Sequence, residues 1–513
     1  MKALKCLAVT AVTIGLTLTA WADQHPNIIV IMCDDMGYSD IGCYGSEIKT
    51  PNLDKLAANG LRYSQMYNTS KCNTSRSSLL TGRYVTAKTN AANYDAGPLI
   101  SEVLQNAGYR TLWSGKNHSR VRPPKRGFDR FYGFQGGACN FWNPGDKLQD
   151  GGKFPHIKSY EWMVDDKWRK TYVPEDPSYF MTDAITDNAI SWLNEYKGED
   201  KPFFLYLAYN APHWPLHAPE KDIAKYKGAY DAGYQKIREA RYKRMIEKGI
   251  IDPETAPLAS EKIRAWERLS EKERKLEAQR MEIHAAMVDN MDQNIGRVIS
   301  KLQEQGELEN TLILFFSDNG GSHERVVKGF KNYKPTGDEK MGSVMSYECI
   351  GRDWARVVNT PLAKHKATSH EGGICTPMVA YWPKGITAKG GWNHEPVHLV
   401  DIMSTALDLS GQTYPAKFKG NKTKPIEGVS LVPGFSQKEL AQRKYTMGFD
   451  FRDGRAIRKG KLKLVSFNKG PWELYDMSKD RTETNNLADQ KPELVDSLKK
   501  EFEKWSANCQ KGL

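Results

Sequence analysis

The sequence predicts an α/β fold: a large, mainly parallel or mixed sheet flanked by helices, followed by a small antiparallel sheet with one helix. Three observations carry that expectation. Short apolar runs alternate with helical patterns over several hundred residues. Each run is almost continuously hydrophobic, as strands buried on both faces are. Beyond Pro433 the pattern changes to hairpin-like alternation. At 513 residues the chain suits one large domain with an appendage rather than a single small core.

In chain order, residues 1–22 read as a secretory signal. Lys2 and Lys5 give the positive start, residues 6–18 the apolar stretch, and Ala20-Trp21-Ala22 a small-residue cleavage site. An exported protein, periplasmic or secreted, is therefore expected. No later run is apolar for the length of a membrane helix, so no membrane span is expected. The large domain should occupy residues 23–440 and the C-terminal subdomain residues 441–513. Buried strands are expected at 27–32, 110–113, 203–208, 311–316 and 378–382, with helices between them at 101–106 and 183–193. The strongest helical signal runs over 270–302. Ser270 and Glu273 form a capping box there, and Met287, Met291, Ile295, Val298, Ile299 and Leu302 line one face. Residues 220–268 are basic, rich in Tyr and poor in aliphatic clusters. They read either as an insertion flanking an active-site mouth or as a solvated helical excursion. Past Pro433, runs at 445–449, 455–459 and 461–467 alternate in hairpin fashion with Gly460 at a turn. Residues 471–476 and a closing helix at 492–505 complete the subdomain.

The formal net charge is +12, and losing Lys2 and Lys5 with the leader leaves it strongly positive. A basic surface suits an anionic substrate. No basic run interleaved with aromatics suggests a nucleic-acid groove, so nucleic acid is set aside. Of eight cysteines, Cys6 falls in the leader, leaving an odd number. They are scattered, without a CxxC pair, which argues against zinc held through sulfur.

Each apolar run ends in residues that chemistry can use, at the sheet edge where open α/β folds bind ligands. Asp34 and Asp35 follow the first run; Asp318 and Asn319 follow the fourth. Four oxygen ligands at one edge select a hard divalent cation, calcium or magnesium. After residues 110–113 comes Ser114-Gly115-Lys116-Asn117-His118, where Lys116 supplies charge and His118 proton transfer toward one anion. After residues 203–208, prolines 212 and 215 stiffen the loop that carries His213.

The stretch Cys72-Asn73-Thr74-Ser75-Arg76-Ser77-Ser78-Leu79-Leu80-Thr81-Gly82-Arg83 strongly resembles the signature of the formylglycine-dependent sulfatases, with Thr74 where that family usually has Pro or Ala. The resemblance extends from Asn27 to about Leu487. It implies an alkaline phosphatase-like fold and hydrolysis of sulfate monoesters, of aryl sulfates or sulfated carbohydrates. It also implies a Cys72 oxidised to formylglycine by a maturation enzyme, and a cation held by Asp34, Asp35, Asp318, Asn319 and modified residue 72. By the same resemblance, Arg76 joins the catalytic set. Lys116 holds the sulfate and formylglycine oxygens, and His118 helps break the covalent intermediate. His213 binds sulfate. Lys366, five residues before Glu371-Gly372-Gly373, is similar to the family's second active-site lysine. Two other activities share these residues: phosphomonoester or phosphonate hydrolysis on the same scaffold, and sulfated-glycan binding without catalysis if Cys72 stays a thiol.

Overall fold

A computed structural model describes residues 25–510 apart from 88–96, 149, 153–160, 326–339, 442, 444 and 445. The leader expected at 1–22 lies outside the described residues. In chain order the strands of the main sheet are β1 (Asn27–Cys33), β2 (Leu61–Tyr67), β3 (Arg110–Gly115), β4 (Arg130–Phe134), β5 (Trp162–Val164), β6 (Lys167–Arg169), β7 (Phe203–Ala208), β8 (Thr311–Ser317), β9 (Cys375–Tyr381), β10 (Gly391–Asn393) and β11 (Val397–His398). They form one 11-stranded sheet in the order β10-β2-β9-β8-β1-β7-β3-β4-β5-β6, with β11 also paired to β2. All five expected strands are present, and the sheet around them is larger than the sequence suggested.

The centre follows from hydrophobicity. β1 reads Asn-Ile-Ile-Val-Ile-Met-Cys, is buried along its whole length, and lies between β7 and β8, both parallel to it. Its alternate side chains feed two cores. Ile29, Ile31 and Cys33 meet Met287, Met291, Ile295, Val298 and Leu302 of the long helix Glu271–Gln305. Ile28, Val30 and Met32 face the opposite layer, with Val103 and Leu104 of helix Ile100–Asn106 and Ile402, Met403 and Ala406 of helix Asp401–Ser410. Each aliphatic chain buried this way contributes about 1.5–3 kcal/mol over leaving it exposed. The expected capping box also forms: the Glu273 amide donates to Ser270 Oγ at 3.3 Å, and the Ser270 amide donates to Glu273 Oε2 at 2.8 Å.

β9 runs against the strands around it, antiparallel to both β8 and β2. Its leading loop therefore arrives at the same sheet edge as the loops trailing β1, β3, β7 and β8. That reversal lets residues before β9 join the site.

Residues 220–268 are not a solvated excursion. They hold helix Gly233–Glu247, whose Arg241 is fully buried, with Nη1 2.8 Å from Asp40 and Nη2 2.7 Å from Glu47. Arg264 pairs with Glu277 of the long helix at 3.0 Å. Glu261 accepts the Lys364 amide at 2.9 Å, so the segment abuts the loop that leads to Lys366.

A short hairpin, β12 (Lys417–Phe418) and β13 (Asn421–Lys422), precedes the C-terminal sheet. That sheet is β14 (Met447–Phe451), β15 (Gly454–Lys459), β16 (Leu462–Phe467) and β17 (Glu473–Asp476), antiparallel throughout and in sequence order. Gly460, at φ +56°, makes the turn between β15 and β16. Helix Pro492–Gln510 packs Leu498, Phe502 and Trp505 against it. Cys33, Cys43, Cys72, Cys139, Cys349, Cys375 and Cys509, all among the described residues, form no disulfide. Among the described residues, no helix is long and apolar enough to cross a membrane.

Candidate active site

Register explains why two acidic pairs meet. Cys33 of β1 stands opposite Ser317 of β8, so the residues following each strand are neighbours. The ladder continues one step as the Asp318 amide donates to the Cys33 carbonyl at 3.1 Å. Asp35 then turns into the left-handed region at φ 66°, which carries its carboxylate into the pocket instead of along the strand. Asn319 Nδ2 donates to Asp35 Oδ1 at 2.7 Å. Asp34, Asp35, Asp318 and Asn319 are all buried.

Cys72 opens helix Cys72–Thr81, which follows β2, and is itself buried. Arg76, four residues on, lies on the same helix face. Its Nε and Nη2 both donate to Asp318 Oδ2, at 3.1 and 2.9 Å, and Nη2 stands 3.8 Å from Asp34. Nη1 reaches the Tyr206 hydroxyl of β7 and the Lys116 carbonyl, each at 3.3 Å. Arg76 is thus locked by four groups, three from the loops that follow β1, β3 and β8 and one from β7.

Lys116 follows β3 and pairs with Asp34 Oδ2 in a short buried contact. It also donates to the Gly137 carbonyl at 2.5 Å. A side chain at residue 137 would put its Cβ 2.9 Å from the His118 ring, so glycine is needed there. His118 keeps a buried Nδ1 without a partner. Desolvation, then the nearby charge of Lys116, holds its pKa well below the ordinary histidine value. His213 Nδ1 faces the Trp214 carbonyl at 2.7 Å and must carry the hydrogen, since a carbonyl only accepts. Its Nε2 is turned to Asp35 Oδ2, 3.4 Å away. Burial pushes His213 down to about 4 against the pull of Asp35 and Asp34. His217, by contrast, contacts the Ser346 carbonyl at 2.7 Å, away from this cluster.

Lys366 arrives on the loop before β9. Its Nζ sits 2.6 Å from Asp35 Oδ1 and 2.8 Å from Oδ2. Burial lowers its pKa, but the charges of Asp35 and Glu324 outweigh that and hold it well above the ordinary lysine value. Every residue expected at the site therefore comes to one edge of the sheet. Sequence reasoning missed Tyr206, Lys71, Trp214 and Glu324. Trp214 Nε1 donates to Glu324 Oε2 at 2.6 Å, and Lys71 Nζ bonds Glu324 Oε1 at 3.0 Å. Only their closeness to Cys72, His213 and the Asp318-Asn319 pair could have drawn notice.

The donor set fits a hard cation. Ligand atoms of Asp34, Cys72 and Asp318 lie within 4.8 Å of one another, as do those of Asp34, Asp35 and His213. Asp34 Oδ1 and Asn319 Oδ1 are buried acceptors with no hydrogen-bond partner, a costly arrangement for oxygens unless an ion takes them up. Burial and the charge of Asp34 push Asp318 up to about 7 despite Arg76 and Lys116.

The family model "Sulfatase" matches residues 26–412. The chain belongs to the sulfatase family. It is a sulfate-ester hydrolase, the activity the Cys72 motif implied. The model "N-sulphoglucosamine sulphohydrolase, C-terminal" matches residues 365–508. An uncharacterized sulfatase of Schizosaccharomyces pombe is 33% identical over 524 residues, covering 93% of this chain and 92% of that one. An arylsulfatase of Klebsiella aerogenes is 32% identical over 437 residues, covering 80% and 91%. Among solved structures, Ps i-CgsB superposes with a TM-score of 0.67 at 28% identity, covering 94% of this chain and 93% of that one. The large sheet with a small C-terminal antiparallel sheet is thus the architecture of this sulfatase and its relatives.

Proposed function

We propose that this sulfatase removes sulfate from a sulfated carbohydrate, using residue 72 matured to formylglycine and one divalent cation. Calcium, which accepts a flexible shell of carboxylate and amide oxygens, suits these ligands, and magnesium, which demands near-octahedral geometry, is the alternative. Asp34, Asp35, Asp318, Asn319 and residue 72 would hold the cation. The observation that carries this reading is the closeness of Cys72 to Asp34 and Asp318, beside two unpartnered buried oxygens. As a thiol, Cys72 is a poor nucleophile: burial pushes its pKa up, and Lys116 and Lys366 only partly offset that. Formylglycine supplies what the thiol cannot, a hydrated aldehyde with one hydroxyl to attack sulfur and a second that allows sulfate to leave. The cation supplies a Lewis acid for an anionic ester.

The side chains divide the remaining work. Arg76 fixes Asp318 through two hydrogen bonds and adds positive charge beneath the sulfate position. Lys116, buried against Asp34, steadies the sulfate oxygens. Lys366 donates from Nζ to the oxygen of the departing alcohol, and His213 stands beside it. His118 takes a proton at its unpartnered Nδ1 when sulfate is released. A carbohydrate substrate is supported by the likeness to Ps i-CgsB, also solved in complex with k-i-k-neocarrahexaose, at 27% identity over 94% of this chain. The leader at residues 1–22 supports export to the periplasm or beyond, where such polymers are met. A maturation enzyme acting on Cys72 completes the set of partners. The test is a desulfation screen across aryl sulfates, sulfated monosaccharides and sulfated polysaccharides. Turnover confined to aryl sulfates would overturn the carbohydrate reading.

A further inference from the structure

Glu324 is a carboxylate where an anion-binding site has least use for one. It extends the loop that starts with Asp318 and Asn319, and its Oε2 lies 3.7 Å from Lys366 Nζ, the group assigned above to the departing oxygen. The side chains of Asp34, Arg76, Lys116 and Lys366 have 0% exposure, whereas that of Glu324 has 30%. Among these described side chains, Glu324 is the one that reaches solvent.

Its neighbours limit what it can recognise. Trp214 Nε1 at 2.6 Å and Lys71 Nζ at 3.0 Å occupy one direction on each oxygen, and Lys366 lies near a third. An ionised carboxylate offers about four lone-pair directions, so about one remains for a donor arriving from solvent. Lys71 already balances the charge, which makes that last direction suit a neutral hydroxyl better than a second cation. A sulfate there would meet a carboxylate at close range.

We propose that Glu324 reads the position next to the scissile ester: it accepts a hydrogen bond from a free sugar hydroxyl and turns away a second sulfate. The inference rests on the carbohydrate reading above and deepens it, since it selects sugars whose cleavable sulfate has an unsulfated neighbour. Removing the charge while keeping the shape is the test. Glu324→Gln and the parent enzyme are assayed on nitrophenyl sulfate, a monosulfated monosaccharide with free neighbouring hydroxyls, and its vicinally disulfated analogue. Loss of one hydrogen bond to a charged acceptor should lower kcat/KM on the monosulfated sugar about tenfold more than on nitrophenyl sulfate. On the disulfated sugar, kcat/KM should rise relative to the monosulfated one. These are ratios within one preparation, so a partly misfolded variant does not change them. Equal losses on the monosulfated and disulfated sugars, whatever the loss on nitrophenyl sulfate, would mean that Glu324 only steadies Lys366, and would overturn the inference. Failure of the parent enzyme on every sugar sulfate, with nitrophenyl sulfate still cleaved, removes the carbohydrate reading and this inference with it.

Discussion

Withdrawing the divalent cation should cost this sulfatase both turnover and thermal stability, and the two losses should share one set of residues. Asp34 and Asp318 have no exposed side-chain surface, and oxygens of Asp34 and Asn319 lack partners. An ion bound there stabilises only the folded chain. At about a hundred times its dissociation constant it adds about 2.7 kcal/mol. Unfolding entropy of about 2.1 cal/mol/K per residue scales to roughly 1 kcal/mol/K for a chain this long, so the midpoint should fall by about 2–3 °C. The assay is calorimetry in chelator, then with calcium or magnesium restored, with sulfatase rates measured alongside. Asp34→Asn should abolish the cation-dependent shift. If chelated protein, shown free of metal by elemental analysis, keeps its midpoint and its full rate, the ligand set is wrong. A full shift in Asp34→Asn would be equally damaging.

Three further outcomes are expected. The peptide carrying residue 72 should react with hydrazine reagents as an aldehyde does, and Cys72→Ala should abolish turnover; full activity in protein bearing a free thiol there would refute formylglycine chemistry. Lys366→Ala should lose on the order of a hundredfold more rate on a sugar sulfate than on nitrophenyl sulfate, whose good leaving group needs no proton; equal losses would deny Lys366 its part in departure. Lys463→Met leaves Glu371 and Glu483, both fully buried and at 2.7 and 2.8 Å from Lys463, without their shared cation. It should destabilise the fold by roughly 3–5 kcal/mol, read by denaturant titration. Burial raises the Glu371 pKa, but Lys463, Arg481 and Arg458 outweigh it and hold the group at about 2. In the parent protein its contribution is therefore complete above the ordinary glutamate value of 4.5 and is lost as pH falls toward 2.

The sheet's centre was legible because parallel strands covered on both faces must be apolar along their whole length. β1, β7 and β8 meet that condition. β2 was not legible: Arg62, Ser64 and Gln65 interrupt its apolar residues, which only its partners β9, β10 and β11 make sense of. The edge hairpin β5–β6 ends in Lys167-Trp168-Arg169 and reads as a polar turn. The site was legible where a residue directly follows a strand, since strand ends fix position: Asp34, Asp318 and Lys116 are of that kind. Glu324 lies several residues past its strand, so its place depends on Trp214 and Lys71, which no spacing relates to it. The segment 220–268 left two readings open, and the structure chose between them through contacts distant in the chain. Its many charges suggest solvent, yet the partners of Arg241 are Asp40 and Glu47, some two hundred residues earlier in the chain.

The loop bearing Lys366 is clamped by residues made much later. Glu371 is tied to Lys463, 92 residues downstream, and its amide donates to Glu483, 112 residues downstream. A chain emerging from the ribosome folds from its N-terminus. Asp34, Cys72, Lys116, His213 and Asp318 can all be in place while Glu371 still has no buried counter-charge. The nascent enzyme should then stay silent until its last strands appear. A stop codon anywhere between Glu371 and Glu483 should release an inactive chain, however complete the rest of its pocket.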